Sequence, residues 1–261
     1  MEKLNVSAYD EAFINSSIQK RLQDKHTVGS ETYRLELENN VEEQTLFMKS
    51  LQVSYTEFFR NPLTFAVLEK VVLPELIQRS IRKQHNKLRI WSMACASGQE
   101  AYSLAMLLEE YLENEPSTIQ YQIFASDHSV SEIEKSKNGF YEASSLGNMS
   151  LKRLDRWFTK KKEGYKIKDE IRNKIEFSVF DVVSDVGGAP PESIFGDFDL
   201  VFCANLLFYY KPEYQIAILE KAVKGLSSGG YLVTGEVERP LIIRNSFQEI
   251  YPFSAIFHKI T

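Results

Sequence analysis

From Leu88 onward, short apolar runs alternate with amphipathic stretches, and this alternation is the strongest constraint on the fold. KLRIWSMA is strand-like, and AYSLAMLLEEYLE spaces its apolar residues for a helix. YQIFASD reads as a second strand, followed by the helix-like SVSEIEKSKNGFY, and IEFSVFDVV as a third strand. FDLVFCANLLFYY is a fourth strand with its exit turn, PEYQIAILEKAVKGL a helix ending at Ser-Ser-Gly-Gly, and YLVTGEV a fifth strand. Strands alternating with helices predict an α/β fold, a doubly wound and mainly parallel sheet covered on both faces. Ligand sites in such folds lie beyond the carboxyl ends of the strands.

Upstream the texture differs. Ala8–Leu22 and Glu31–Leu51 place apolar residues three and four apart, with Gly29-Ser30 as a break. Thr56–Gln78 is mostly helical, Pro62 and Pro74 marking starts or bends. The basic stretch RSIRKQHNKLR closes this section. The expected organisation is therefore a helical domain over 1–85 and an α/β domain over 86–261. Glu163-Gly164, inside RWFTKKKEGYKIKDEIRNK, predicts a small inserted hairpin at about 156–175.

Composition narrows the function classes. A net charge of −5 provides no global basic field, so no nucleic-acid partner is expected. Cys95 and Cys203 sit inside apolar segments, and no CxxC or Cys/His cluster points to a metal. The start MEKLNVSAYDEAF lacks a basic region and an apolar run, which predicts no secretory signal. No apolar window reaches membrane-spanning length, so the expectation is a cytoplasmic protein without membrane insertion.

Three places on the α/β section could carry chemistry. After the first strand, the turn Ala94-Cys95-Ala96-Ser97-Gly98 is small enough for backbone to approach a ligand, and it opens onto a helix N-terminus. It lacks GKS/GKT and the full GxGxxG, which excludes a phosphate loop and a complete dinucleotide fingerprint. Asp127, just past the second strand, is placed either to take ribose hydroxyls or to cap the next helix; the small-residue turn favours the ribose. Asn205 is a polar residue at the exit of the fourth strand, either beside a ligand or capping backbone, and Tyr209 either packs as core or points at a reacting group. Together they suit a nucleoside cofactor with no phosphate clamp, such as S-adenosylmethionine.

These segments resemble the chemotaxis-receptor glutamate methyltransferases, the CheR family. SMACASGQEAYSLA resembles that family's AAxSxGEEPYSIA, YTEFFRNP its TxFFRDP, FASDHS its ASDID, and VFCANLLFYY its IFCRNVxIYF. The order and spacing match over nearly the whole chain. The resemblance implies the class I S-adenosylmethionine-dependent methyltransferase fold behind an N-terminal all-helical domain. It implies that Ser54, Thr56, Arg60, Glu100 and Asp127 contact the cofactor or its surroundings, beside the backbone of Ala94 and Gly98. Asp181 and Val182 would flank the adenine on one side, and Asn205 and Leu206 on the other. Arg60 would sit near the sulfonium and the incoming carboxylate, with Tyr209 opposite. A surface ion pair of Arg60 with Glu57 or Glu69 is the alternative for that residue.

The implied reaction forms glutamate methyl esters on the cytoplasmic helical bundle of a chemoreceptor-like protein, releasing S-adenosylhomocysteine. The implied enzyme is a monomer. Basic clusters at Arg79–Arg89 and Lys152–Lys168 are either solvated faces or partner-facing ones. The short TKKKEGYKIK hairpin lacks the longer loop of members that bind a receptor's tether peptide, so no such binding is expected. Several positions depart from the family pattern: Gln99 and Ala101 in the first motif, Ala204 for the arginine of CRN, Asp181 for an Asn, and GEVE for GHSE. Those changes leave two rivals, a non-catalytic cofactor-binding relative and a methyltransferase for another acceptor.

Overall fold

The computed structural model describes residues 6–26, 29–51, 55–83, 87–115, 119–193, 196–244 and 247–259. Helix α1 (Glu11–Asp24) starts at Asp10, whose carboxylate accepts the N–H groups of Ala12 and Phe13. The periodic stretch 31–51 is two helices, α2 (Ser30–Asn39) and α3 (Val41–Leu51). They part at Asn40, whose side chain accepts the Glu43 N–H and so caps α3. Leu22, Tyr33, Leu37 and Phe47 close these three helices around a core of their own.

Helices α4 (Pro62–Val67) and α5 (Leu73–Arg82) are joined by a π-helical turn, Leu68–Val72. Pro74 has no N–H to donate and its ring crowds the carbonyl one turn back, so the ladder widens just upstream of it. Both helices bury apolar residues, among them Phe65, Leu68, Leu76 and Ile77, in the same cluster as the sheet. The helical section 1–85 thus has two allegiances: α1–α3 pack on one another, while α4 and α5 cover the sheet.

The remaining elements follow in chain order: β1 (Lys87–Ser92), α6 (Gln99–Leu112), β2 (Gln120–Asp127), α7 (Val130–Asn138), β3 (Phe140–Tyr141), α8 (Leu151–Trp157), β4 (Phe158–Lys161), β5 (Gly164–Ile167) and α9 (Asp169–Arg172). Then come β6 (Ile175–Val179), β7 (Phe198–Cys203), α10 (Pro212–Gly225), β8 (Leu226–Thr234), α11 (Arg239–Ile243), β9 (Phe247–Glu249) and β10 (Ile256–Lys259). The main sheet has seven strands in the order β6-β2-β1-β7-β8-β10-β9. The first five are parallel, and β10 and β9 join antiparallel. This is the doubly wound, mainly parallel sheet that the sequence predicts.

Strand alternation sorts the core. Leu88 and Ile90 of β1 and Leu200 and Phe202 of β7 enter one apolar cluster, while Trp91, Val201 and Cys203 enter the cluster on the opposite face. Helices α4–α7 cover the first face and α10 the second, so the central strands are buried on both faces.

Two segments differ from what the sequence predicts. The stretch through Tyr141 was expected to be helical to its end, but Gly139 stops α7 and Phe140–Tyr141 form β3. That strand pairs with β5, giving the expected hairpin β4–β5 a third member. Gly164 is required there, because a Cβ would stand 2.4 Å from the Tyr141 carbonyl oxygen. The terminal strands β9 and β10 were not expected. No described helix is long and apolar enough to cross a membrane.

Candidate active site

A cleft of about 890 Å³, counting the space that opens to solvent, lies at the carboxyl edge of the parallel strands. Its floor comes from residues just past β1 (Ala94 and Ala96), β2 (Asp127) and β7 (Ala204 to Leu206). One wall is the segment Tyr55–Phe65, and Tyr9 and Leu51 reach in from the helical section. The strand order dictates this location: the chain adds β2 and β6 on one side of β1 and returns to add β7 and β8 on the other, which leaves a crevice at the strand ends.

Asp127 is buried at the cleft floor and takes one backbone N–H on each carboxylate oxygen. Its Oδ1 accepts the Ser129 N–H at 2.9 Å, ordering the start of α7, and its Oδ2 accepts the Ala96 N–H at 2.9 Å. Each oxygen keeps acceptor capacity. Burial raises its pKa, while the two N–H donors and the neighbouring His128 pull the other way. The Ala96 bond ties the small-residue turn to β2, and Ala96 adopts a left-handed φ of 45° to make it.

Asn205 and Leu206 line the cleft, held by a residue to which the sequence reading gave no role. Glu238, 4% exposed, accepts four backbone N–H groups. They are those of Asn205 at 2.9 Å, Leu206 at 2.8 Å, Leu207 at 2.6 Å and Gly235 at 2.8 Å. Asn205 is left-handed, with φ 58°. Burial raises the Glu238 pKa and the N–H groups oppose it. The only sequence signal was its position closing GEVE.

Thr56 and Arg60 line the opposite wall. Between them Phe59 takes a left-handed φ of 51°, with its N–H donated to the Ser103 hydroxyl at 3.0 Å. Ser103 sits on α6 and donates in turn to the Gln99 carbonyl, so α6 positions the arginine segment. The Arg60 guanidinium donates to the Tyr55 carbonyl at 3.1 Å and lies 5.2 Å from the Tyr55 ring. Among the described residues no carboxylate lies within ion-pair distance of it. Glu57 accepts from Asn148 and from the Tyr55 hydroxyl, and Glu69 pairs with Lys70 and Arg153.

Glu100, in the first turn of α6, accepts the Ser92 hydroxyl at 2.6 Å. Burial pushes its carboxyl up to about 7, against the pull of Ser92 and the Arg60 charge. Tyr209 is half-buried between Phe13 and Phe208, whose ring centres lie 4.8 and 4.2 Å away. Its hydroxyl is pushed up by burial, and the Arg60 charge opposes that shift.

Three expected site residues, Gly98, Asp181 and Val182, are not among those that line the cleft. Gly98 faces away from it: with φ 91°, it lets α6 approach Ser136 and Phe177, where a Cβ would stand 2.8 Å and 3.2 Å from them. Its missing side chain serves packing, and it is not among the residues that line the cleft. Asp181 spends its carboxylate on its own turn, accepting from the Val183 N–H and the Ser184 hydroxyl. Val182 is buried in the second apolar cluster. Ser54 lies outside the described residues. Of the departures, Ala204 borders the cleft, whereas Gln99 is buried and turned to Ser97.

The donor set fits a nucleoside that carries a cationic sulfur. Asp127 retains acceptor sites, Ala94, Ala96 and Ala204 leave room, and Glu100 places a carboxylate nearby. Among the described residues no cluster of His, Cys, Asp or Glu could hold a metal ion.

The profile of the family described as "CheR methyltransferase, SAM binding domain" matches residues 54–251. Chemotaxis protein methyltransferase 1 of Pseudomonas aeruginosa is 35% identical over 197 residues, 74% of this chain and 69% of that protein. The chemotaxis protein methyltransferase of Salmonella typhimurium is 31% identical over 208 residues, 78% of this chain and 67% of that protein. An uncharacterized 104.1 kDa protein of Rhodobacter capsulatus is 31% identical over 246 residues. That match takes in 94% of this chain, which spans a quarter (25%) of the longer protein.

Proposed function

The chain belongs to the CheR methyltransferase family, and from that premise we propose that it esterifies glutamate side chains of a chemoreceptor-like helical protein, with S-adenosylmethionine as methyl donor. One observation carries the proposal: an Asp127 carboxylate with open acceptor sites and an Arg60 guanidinium with no carboxylate in ion-pair distance among the described residues border the same cleft.

When bound, the cofactor supplies a methyl group on a positively charged sulfur. Asp127 would accept the ribose hydroxyls, Asn205 and Leu206 would line the nucleoside, and Glu100 would lie near the cationic end. Thr56 would border the donor from the opposite wall. Arg60 would orient the incoming glutamate by charge-assisted N–H···O bonds. That glutamate is ionised near neutral pH, with an ordinary pKa of about 4.3, so no general base is required. The protein's work is alignment of the nucleophilic oxygen and exclusion of water, in which half-buried Tyr209 would take part.

The chemotaxis methyltransferase relatives support a cytoplasmic location and a receptor partner. In the same proposal the enzyme is a monomer, 86–261 is its cofactor domain, and its short hairpin binds no tether peptide. Ala204, at the cleft where the resemblance expects arginine, favours one second reading: a relative that binds cofactor without turnover.

The test incubates the protein with methyl-tritiated S-adenosylmethionine and chemoreceptor membranes. Base-labile label on receptor glutamates is expected, together with S-adenosylhomocysteine binding that drops at least tenfold in Asp127→Ala. Base-stable label would overturn the ester. Asp127-dependent binding without any transfer would establish the second reading.

A further inference from the structure

We propose that Tyr9 walls the purine end of the cofactor cleft, so that the segment ahead of α1 completes a binding site built by the α/β domain and the Tyr55–Phe65 wall. This rests on the cofactor reading above and assigns a residue outside the segment 54–251 that the family profile matches. Two backbone bonds clamp the chain on either side of Tyr9. The Lys211 N–H donates to the Ala8 carbonyl at 2.9 Å, and the Asp10 N–H donates to the Tyr209 carbonyl at 2.9 Å. Tyr9 is thereby pinned to the turn after β7, the same turn that carries Asn205 and Leu206.

Its ring lies 5.3 Å from that of Tyr210 with an interplanar angle of 17°, a stacked pair, and both side chains line the cleft. Asp127, at the end of β2, lines the same cleft as the pair. An adenine attached to a ribose on Asp127 needs a flat apolar wall within reach of that carboxylate, and an aromatic face provides one. Tyr9 also packs against two apolar clusters, that of α1–α3 and that of α10. Phe13 packs on Tyr209 and helps dock the same helix, but it does not line the cleft.

The experiment is calorimetric titration of the whole protein with S-adenosylhomocysteine, with thermal melts of each variant. Tyr9→Ala should weaken binding roughly tenfold, as loss of a base–aromatic stack does. Tyr9→Leu, which keeps bulk at the docking point, should also weaken it, while Tyr9→Phe and Phe13→Ala stay within about twofold. Wild-type affinity in Tyr9→Leu, or an equal loss in Phe13→Ala, would overturn the assignment. No binding by folded wild type would overturn the cofactor reading itself, and this assignment with it.

Discussion

Glu238 accepts the Asn205 N–H at 2.9 Å, joining two residues 33 positions apart and fixing the turn that borders the cleft. Because its carboxylate serves three further N–H groups, no neutral side chain can replace it fully. Glu238→Gln turns an NH₂ group towards N–H donors. We expect it to cost about 2 kcal/mol of stability. S-adenosylhomocysteine affinity should fall about tenfold in parallel, by calorimetry, as a turn of this kind loosens. Unchanged affinity would remove Glu238 from the positioning of Asn205.

Arg60→Lys keeps the charge and loses the planar fork that can hold a carboxylate by two N–H bonds. If Arg60 orients the acceptor, kcat should fall about tenfold or more, with KM for the methyl donor within a few-fold. Steady-state kinetics on receptor membranes separate the two constants. A change confined to the donor's KM would place Arg60 on the cofactor instead.

Burial holds the Glu100 carboxyl up to about 7, so it ionises within the physiological range. The cofactor is cationic, and the ionised form attracts it. Affinity for S-adenosylmethionine should therefore rise as pH climbs through about 7, and level off once Glu100 is charged. Titration calorimetry from pH 6 to 8 checks this, and Glu100→Gln should flatten the profile. For the free protein the sign is opposite: a raised carboxyl favours the folded state while protonated, and that contribution fades as pH rises towards 7.

Glu43 titrates the other way. Burial alone would raise it, but hydrogen bonds from Tyr33, Arg21 and Lys25 outweigh that and hold it below the ordinary carboxylate range. Its stabilising contribution is complete above about pH 4.3, the unfolded value, and is lost as pH falls through the lower folded one. Glu43→Gln should cost about 2 kcal/mol near neutrality. It should also blunt the acid sensitivity of α1–α3, read by urea denaturation at pH 3 and pH 7.

What the sequence determined by itself is local. Alternation along KLRIWS sends Leu88 and Ile90 to one face and Trp91 to the other, and the small turn before α6 and Asp127 at the end of β2 mark the cleft without knowledge of any distant contact. Period and turn chemistry act over a few residues, so they are legible in a string.

Only the tertiary structure decided which groups meet. Strand order brings Glu238 to Asn205 and Tyr9 to Tyr210 across long separations that carry no local signal. It turns Gly98 towards Ser136 and leaves Asp181 bonded within its own turn. Strand β10 forms on the ladder that β8 offers, and the edge strand β9 on the one that β10 offers in turn; neither ladder is visible in the residues of these short segments. A buried carboxylate takes whichever donors the packed chain presents, and that set is defined only once the sheet has closed.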